Sequence, residues 1–184
     1  MTNFALTNTC DICGKQWPMR GITVRVCLDC KKKTPTERGY CENWAFQKAV
    51  QFGPLSPCEK SKRSVIAWYP KTGQWTRGVN GPPEGFLCLG NILCADLCGQ
   101  LSIHAEERAM VGFLNIHRDK NIPAGEVELL HVKVVDRLPV HSGPPSCLRC
   151  SAKVVEYGFK GIWLYHETGL KFYEAFEFHQ KTLE

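Results

Sequence analysis

The chain has 184 residues, 43% of them hydrophobic and 22% charged, with a formal net charge of +5. This is the composition of a globular protein rather than a disordered one, and the length suits one ordinary domain with a small appendage. No apolar run reaches the roughly 18–20 residues that span a bilayer. The opening MTNFALTNTC lacks the basic and apolar segments of a secretory signal, so a cytoplasmic protein with no membrane partner is expected. The mild positive charge suits an anionic partner such as a nucleotide or nucleic acid. Eleven cysteines are the outlier. Structural disulfides are rare inside cells, and an odd count fits a complete set poorly, so metal is the leading reading.

In chain order, residues 1–33 form a cysteine-bearing module that ends in Lys31, Lys32 and Lys33. Residues 37–53 put Trp44, Ala45, Ala49 and Val50 at near-helical spacing, and Gly53 with Pro54 stops the run. Ser64–Tyr69 and Gln74–Val79 read as two strands of a hairpin turning at 71–73. Residues 80–103 are rich in Gly, Pro and Cys and read as loop. His104–His117 is a predicted helix with Ala109, Met110 and Phe113 inward. Val127–Val135 is a predicted strand, and Pro139–Ser146 a predicted loop. Cys147–Tyr157 is a predicted helix with Gly158 as its stop, followed by a strand over Gly161–His166. Glu167–Gly169 turns, Lys171–Tyr173 returns as a second strand, and Glu174–Leu183 closes as a short helix. That order implies an α/β layer fold, a sheet covered by helices. Trp68, Trp75 and Trp163 fall in predicted strands and read as core rather than as base-stacking platforms.

Cys10-x2-Cys13 and Cys27-x2-Cys30 are two knuckles separated by thirteen residues. Each turns two thiolates towards one point, and together they complete a tetrahedral site for a structural zinc. So short a module buries little core, and the metal supplies its folding energy. Grip on nucleic acid, grip on protein and structural capping all remain open as its role.

The strongest pattern joins His104-Ala105-Glu106 to Pro145-Ser146-Cys147-Leu148-Arg149-Cys150. Both halves start predicted helices. Cys147 and Cys150 are i and i+3, so their sulfurs share one helix face. A helix N-terminus favours the thiolate, the ligand form. With His104 they make three protein ligands, which leaves a fourth position for water and marks a catalytic zinc rather than a structural one. Glu106 is no obvious ligand and is better placed to carry the proton.

H-x-E followed by P-C-x-x-C is the pattern of zinc-dependent base deaminases, and over residues 40–175 the chain resembles the cytidine deaminase superfamily. Gly78-Val79-Asn80-Gly81-Pro82-Pro83-Glu84-Gly85, a cysteine-containing loop and then Ile103–Glu106 resemble its deoxycytidylate branch, as does Ser56-Pro57-Cys58 leading to Arg63. The resemblance implies a three-layer α/β fold with a mixed central sheet, occupying residues 34–184. It implies zinc on His104, Cys147 and Cys150, and Glu106 as proton shuttle. It also implies a substrate contact at Asn80, and a homo-oligomer. Ser146 separates Pro145 from Cys147, where the family usually has Pro directly before the first Cys. The short C-terminal segment favours a final antiparallel hairpin, a feature of the free-cytidine branch.

Cys88, Cys94 and Cys98, within eleven residues, read either as a further zinc site completed by Cys58, Cys41 or a histidine, or as small packed apolar residues. Lys60, Lys62 and Arg63 read either as a 5′-phosphate contact near Asn80 or as a solvated turn. The first functional reading is zinc-dependent hydrolytic deamination of a pyrimidine nucleotide, dCMP to dUMP being the first choice. A second is a base deaminase that holds single-stranded nucleic acid with the zinc ribbon of residues 1–33. A third is a non-catalytic zinc-binding module on the same scaffold.

Overall fold

The computed structural model describes residues 42–90 and 101–184, together with the backbone of two short antiparallel strands, β1 (Thr7–Thr9) and β2 (Gln16–Pro18). The connection between them carries Cys10 and Cys13, which lie outside the described residues, as do Cys27, Cys30, Cys41, Cys94 and Cys98.

The main body opens with α1 (Glu42–Phe52), which buries Trp44, Ala45 and Ala49. Residues 37–41 of the predicted helix lie outside the described part. A 3-10 turn over Gly53–Leu55, with Pro54 in its first turn, ends the helix. The predicted hairpin follows as β3 (Lys62–Trp68) and β4 (Trp75–Val79), paired antiparallel from Ser64↔Val79 to Trp68↔Trp75. Then come α2 (Ala105–Ile116) and β5 (Glu128–Val135).

Here the structure departs from expectation. The predicted loop over Pro139–Ser146 begins as strand, because β6 (Leu138–Val140) folds straight back onto the end of β5. The turn between them is made by Asp136 and Arg137, both at positive φ (49° and 65°). A two-residue hairpin wants this backbone, and Asn-Gly or Asp-Gly usually signals it. Asp-Arg gives no such signal.

Past the loop come α3 (Leu148–Glu156), β7 (Gly161–His166), β8 (Gly169–Glu174) and α4 (Ala175–Lys181). α3 stops as predicted. Gly158 at φ 69° donates its N–H to Val155 O, and Phe159 donates to Val154 O, while the Phe159 and Val154 side chains bury together in the core. That is a Schellman ending, with the hydrophobic contact that accompanies it.

The sheet runs β4-β3-β5-β7-β8, with β6 on β5. β5 and β7 pair in parallel, and every other named pair is antiparallel. The final hairpin is antiparallel, as the short C-terminal segment predicts.

The period-2 alternation of the central strands divides the core between two faces. Ile66, Trp68, Leu130, Val132 and Val134 meet Trp44, Ala45 and Ala49 of α1. Val65, Ala67, Leu129, Ile162 and Leu164 meet α2, α3 and α4 through Met110, Phe113, Val154 and Phe178. The result is the expected three-layer α/β architecture, a mixed sheet with helices on both faces. Trp68 is fully buried, and Trp75 and Trp163 pack against the same cluster, as expected of core residues. Among the described residues no helix is long and apolar enough to cross a membrane.

α2 lies unusually close to β4. The Thr76 hydroxyl donates to Ala109 O at 2.9 Å. A Cβ on Gly78 would stand 2.0 Å from Ala105 O and 2.5 Å from Ala109 N. Both are backbone atoms, so neither can swing away. Gly78→Ala is therefore expected to destabilise the fold by about 1–3 kcal/mol through forced overpacking. Chemical denaturation measures this, and a wild-type midpoint would refute the close-contact account.

Candidate active site

His104 is the residue at which the chain enters α2 (φ −74°, ψ 153°), and its side chain makes no capping bond. The imidazole is thus free to turn sideways. Its Nδ1 lies 3.0 Å from Cys150 Sγ and 3.3 Å from Cys147 Sγ. Cys147 enters α3 in the same way, and its sulfur accepts the Cys150 N–H at 3.4 Å. The three ligand atoms all lie within 4.8 Å of one another. Among the described residues this is the one such cluster of potential metal ligands.

The donor set fits zinc. A tetrahedral ion at ordinary bond lengths sets an imidazole nitrogen and a thiolate roughly 3.5 Å apart, and the observed separations fall within about half an ångström of that. Softness agrees too, with two sulfurs and one imidazole.

The electrostatics of the cluster point the same way. The Cys150 thiol donates to Cys147, which outweighs burial and, with help from His104, holds Cys147 down to about 5. Cys150 is pushed far up by that same shared proton, by burial and by the negative charge of Glu106 beside it. The Cys147 sulfur raises the pKa of His104 against the opposing effect of burial. Two thiols this close cannot both ionise unless a cation sits between them.

Glu106, Glu107 and Arg108 of α2 point three ways. Glu106 turns inward, only 8% exposed, against Cys150. Glu107 crosses to α3, where its carboxylate accepts from Arg149 Nη2 at 2.8 Å and from the Lys153 ammonium. Arg108 donates to Pro82 O at 2.8 Å and holds the Gly- and Pro-rich segment against the helix.

The predicted substrate contacts stand differently. The amide of Asn80 is buried and engaged. Its Oδ1 accepts from Arg63 N at 2.7 Å and from Ser56 Oγ at 2.9 Å, and its Nδ2 donates to Ser61 O at 2.7 Å. Asn80 therefore clamps the 56–63 segment to the end of β4, with one amide N–H to spare. The Arg63 side chain is exposed and turns to Ser61 Oγ at 3.1 Å. Cys88 Sγ accepts from Glu59 N at 3.3 Å, next to the buried Cys58.

Two further features escaped the sequence reading. His131, in the middle of β5, is 3% exposed, its Nδ1 lies 3.5 Å from Ser142 Oγ, and its Nε2 has no partner among the described residues. Burial holds its pKa down, against the pull of Glu106. A lone histidine within the apolar run VELLHVKVV was the available signal. The second is a knot behind the cluster. Ser151 Oγ lies 3.0 Å from His179 Nδ1 and 2.8 Å from Thr182 Oγ1, tying α4 to α3 directly after Cys150.

A scan of the sequence against protein-family models finds no match, and neither does a search of curated proteins. Among solved structures the chain is similar to the apo dCMP deaminase of cyanophage S-TIM5 (24% identity, 66% of this chain and 79% of that one, TM-score 0.46). It is similar to cytidine deaminase from Burkholderia pseudomallei (13% identity, 72% and 94%, TM-score 0.45). It is also similar to cytidine deaminase from Mycobacterium leprae (16% identity, 71% and 91%, TM-score 0.42).

The Glu107 bridge makes a prediction of its own. Burial raises the Glu107 pKa, but Lys153 and Arg149 together outweigh it and leave the group below the ordinary carboxylate value. Glu107→Gln is expected to cost about 1–2 kcal/mol at neutral pH, a charge-assisted bond discounted for the exposure of Arg149. Because the folded pKa lies below the unfolded one, that contribution is complete above the unfolded value and vanishes as pH falls through the folded one. Urea melts of both proteins at pH 7 and pH 3 should show the difference shrinking. A constant difference would mean that the bridge is not its source.

Proposed function

We propose that the chain is a zinc-dependent hydrolytic deaminase of a pyrimidine nucleotide, converting dCMP to dUMP. The observation that carries this reading is the meeting of His104, Cys147 and Cys150 around one point, with the buried Glu106 carboxylate beside them. The Gly78–Gly85 segment, pinned to α2 through Arg108, supports the choice of a deoxycytidylate-type substrate. A zinc ion held by those three donors supplies a water acidic enough to serve as nucleophile near pH 7.

The protein's own residues do the rest. The paired helix starts fix the two sulfurs and the imidazole. Glu106 takes a proton from the attacking water as its oxygen bonds to the amine-bearing ring carbon. It passes that proton to the ring nitrogen, then takes the second proton from the newly added hydroxyl and gives it to the departing amine. The carbon–nitrogen bond breaks, ammonia leaves and a carbonyl remains, so water and the amine exchange one for one. Its low exposure keeps the carboxylate from losing that proton to bulk water.

Glu106→Gln in the purified full chain is expected to lower ammonia release from dCMP by about 10²–10⁴-fold, with metal content unchanged. Turnover near the wild-type rate would overturn the reading. Elemental analysis tests the metal assignments. With Cys10, Cys13, Cys27 and Cys30 as a structural site, two zinc per chain are expected, and three if Cys88, Cys94 and Cys98 hold another. Cys147→Ser should remove one and leave the rest, and an unchanged count would sink the catalytic assignment.

A further inference from the structure

At one end of the sheet a cleft of about 450 Å³ opens between residues 141–144 and the β7–β8 hairpin. That volume is in the range of small-molecule sites. Its first wall leads directly into the metal cluster. Cys147 stands three positions after Pro144, a span of at most about 11 Å. The wall is pinned in place, because Ser142 N donates to Tyr165 O at 2.6 Å and Ser142 Oγ lies 3.5 Å from His131 Nδ1.

Donors line the cleft. Lys171 is its one ammonium. It makes no ion pair among the described residues, and it rests 4.5 Å from the centre of the Tyr173 ring. The hydroxyls of Ser142 and Thr168 and the imidazoles of His141 and His166 surround the same space. Glu167 is the one carboxylate of the lining, exposed at the turn.

His131 links this cleft to the cluster. One ring nitrogen approaches Ser142 on the cleft wall, and the ring lies in the field of Glu106, Arg63, Cys147 and His104. The other nitrogen is buried without a partner among the described residues. Buried polar groups are nearly always hydrogen-bonded, so an orphan beside a reactive cluster points to a bound group that completes it. The alternative anion contacts are otherwise engaged: Asn80 makes three bonds in its clamp and keeps one N–H, and the exposed Arg63 side chain turns to Ser61.

We infer that this cleft takes the 5′-phosphate of the substrate, with Lys171, Ser142 and Thr168 as donors and His131 meeting a polar group of the substrate between phosphate and base. The inference rests on the deaminase reading above, but its test does not need turnover. The zinc-loaded full chain is titrated with inorganic phosphate by calorimetry, alongside Lys171→Gln, Glu167→Gln and Arg63→Gln. Lys171→Gln should weaken phosphate binding about tenfold, and Glu167→Gln should strengthen it. In activity assays Lys171→Gln should lower kcat/KM for the nucleoside 5′-monophosphate, relative to the free nucleoside, by a similar factor.

Phosphate affinity indifferent to Lys171, or lost instead in Arg63→Gln, overturns the assignment. So does a preference for a single-stranded oligonucleotide over the mononucleotide. Phosphate binding that depends on Lys171, in a protein that deaminates nothing, keeps the anion site and removes the deaminase reading.

Discussion

The parallel pairing of β5 with β7 is the constraint from which the site follows. Parallel neighbours cannot be joined by a tight turn, so the chain leaving β5 must recross the sheet before β7 begins. α3 is that crossing, and it starts at the end of the sheet where β5 finishes. β4, antiparallel to β3 as β5 is, points the same way as β5, and α2 begins beside it. Two helix starts therefore emerge at one end of one sheet. Residues 43 positions apart, His104 and Cys147, meet there without any long-range bond between their own backbones.

What meets is electrostatically unfinished. Cys147, Cys150 and Glu106 place three acidic groups in a space with little water, against the single imidazole of His104. With protons alone the conflict is settled unequally, one sulfur ionised and the other denied. A divalent ion lets both sulfurs ionise and leaves the carboxylate free for proton transfer. Glu107, one residue on, has the opposite fate. It turns away and is neutralised across the helix pair by Arg149 and Lys153, so two adjacent glutamates meet opposite surroundings.

Much of this was legible in the sequence, because it was written in local periodicity. The i, i+3 cysteines, the H-x-E helix start and the apolar runs of β3, β5 and β7 each carry their own signal. β6 carried none, since its turn uses left-handed Asp136 and Arg137 where a glycine would have announced it. Asn80 was expected to contact substrate, and its amide is engaged with Ser56, Arg63 and Ser61. That engagement depends on Ser56 and Ser61, partners 24 and 19 residues away that no local pattern reveals. The Ser151–His179 knot was invisible for the same reason, and the lone His131 in its apolar run signalled a residue but not its partners. A polar residue in an apolar run reveals its role only when its neighbours in space are known.

The knot behind the cluster has a practical consequence for anyone who handles the protein. Ser151 follows Cys150 directly, and its hydroxyl is shared with His179 and Thr182. Thr182 in turn donates to His179 O at 2.6 Å. The last turn of α4 is thus a fastener on the backside of the cysteine helix, although nothing there touches the reacting atoms. An affinity tag, a fluorescent fusion or a trimmed terminus placed at Thr182 would pull on that fastener. Preparations that differ only in what is attached there would then differ in how firmly α3 holds Cys147 and Cys150 in place.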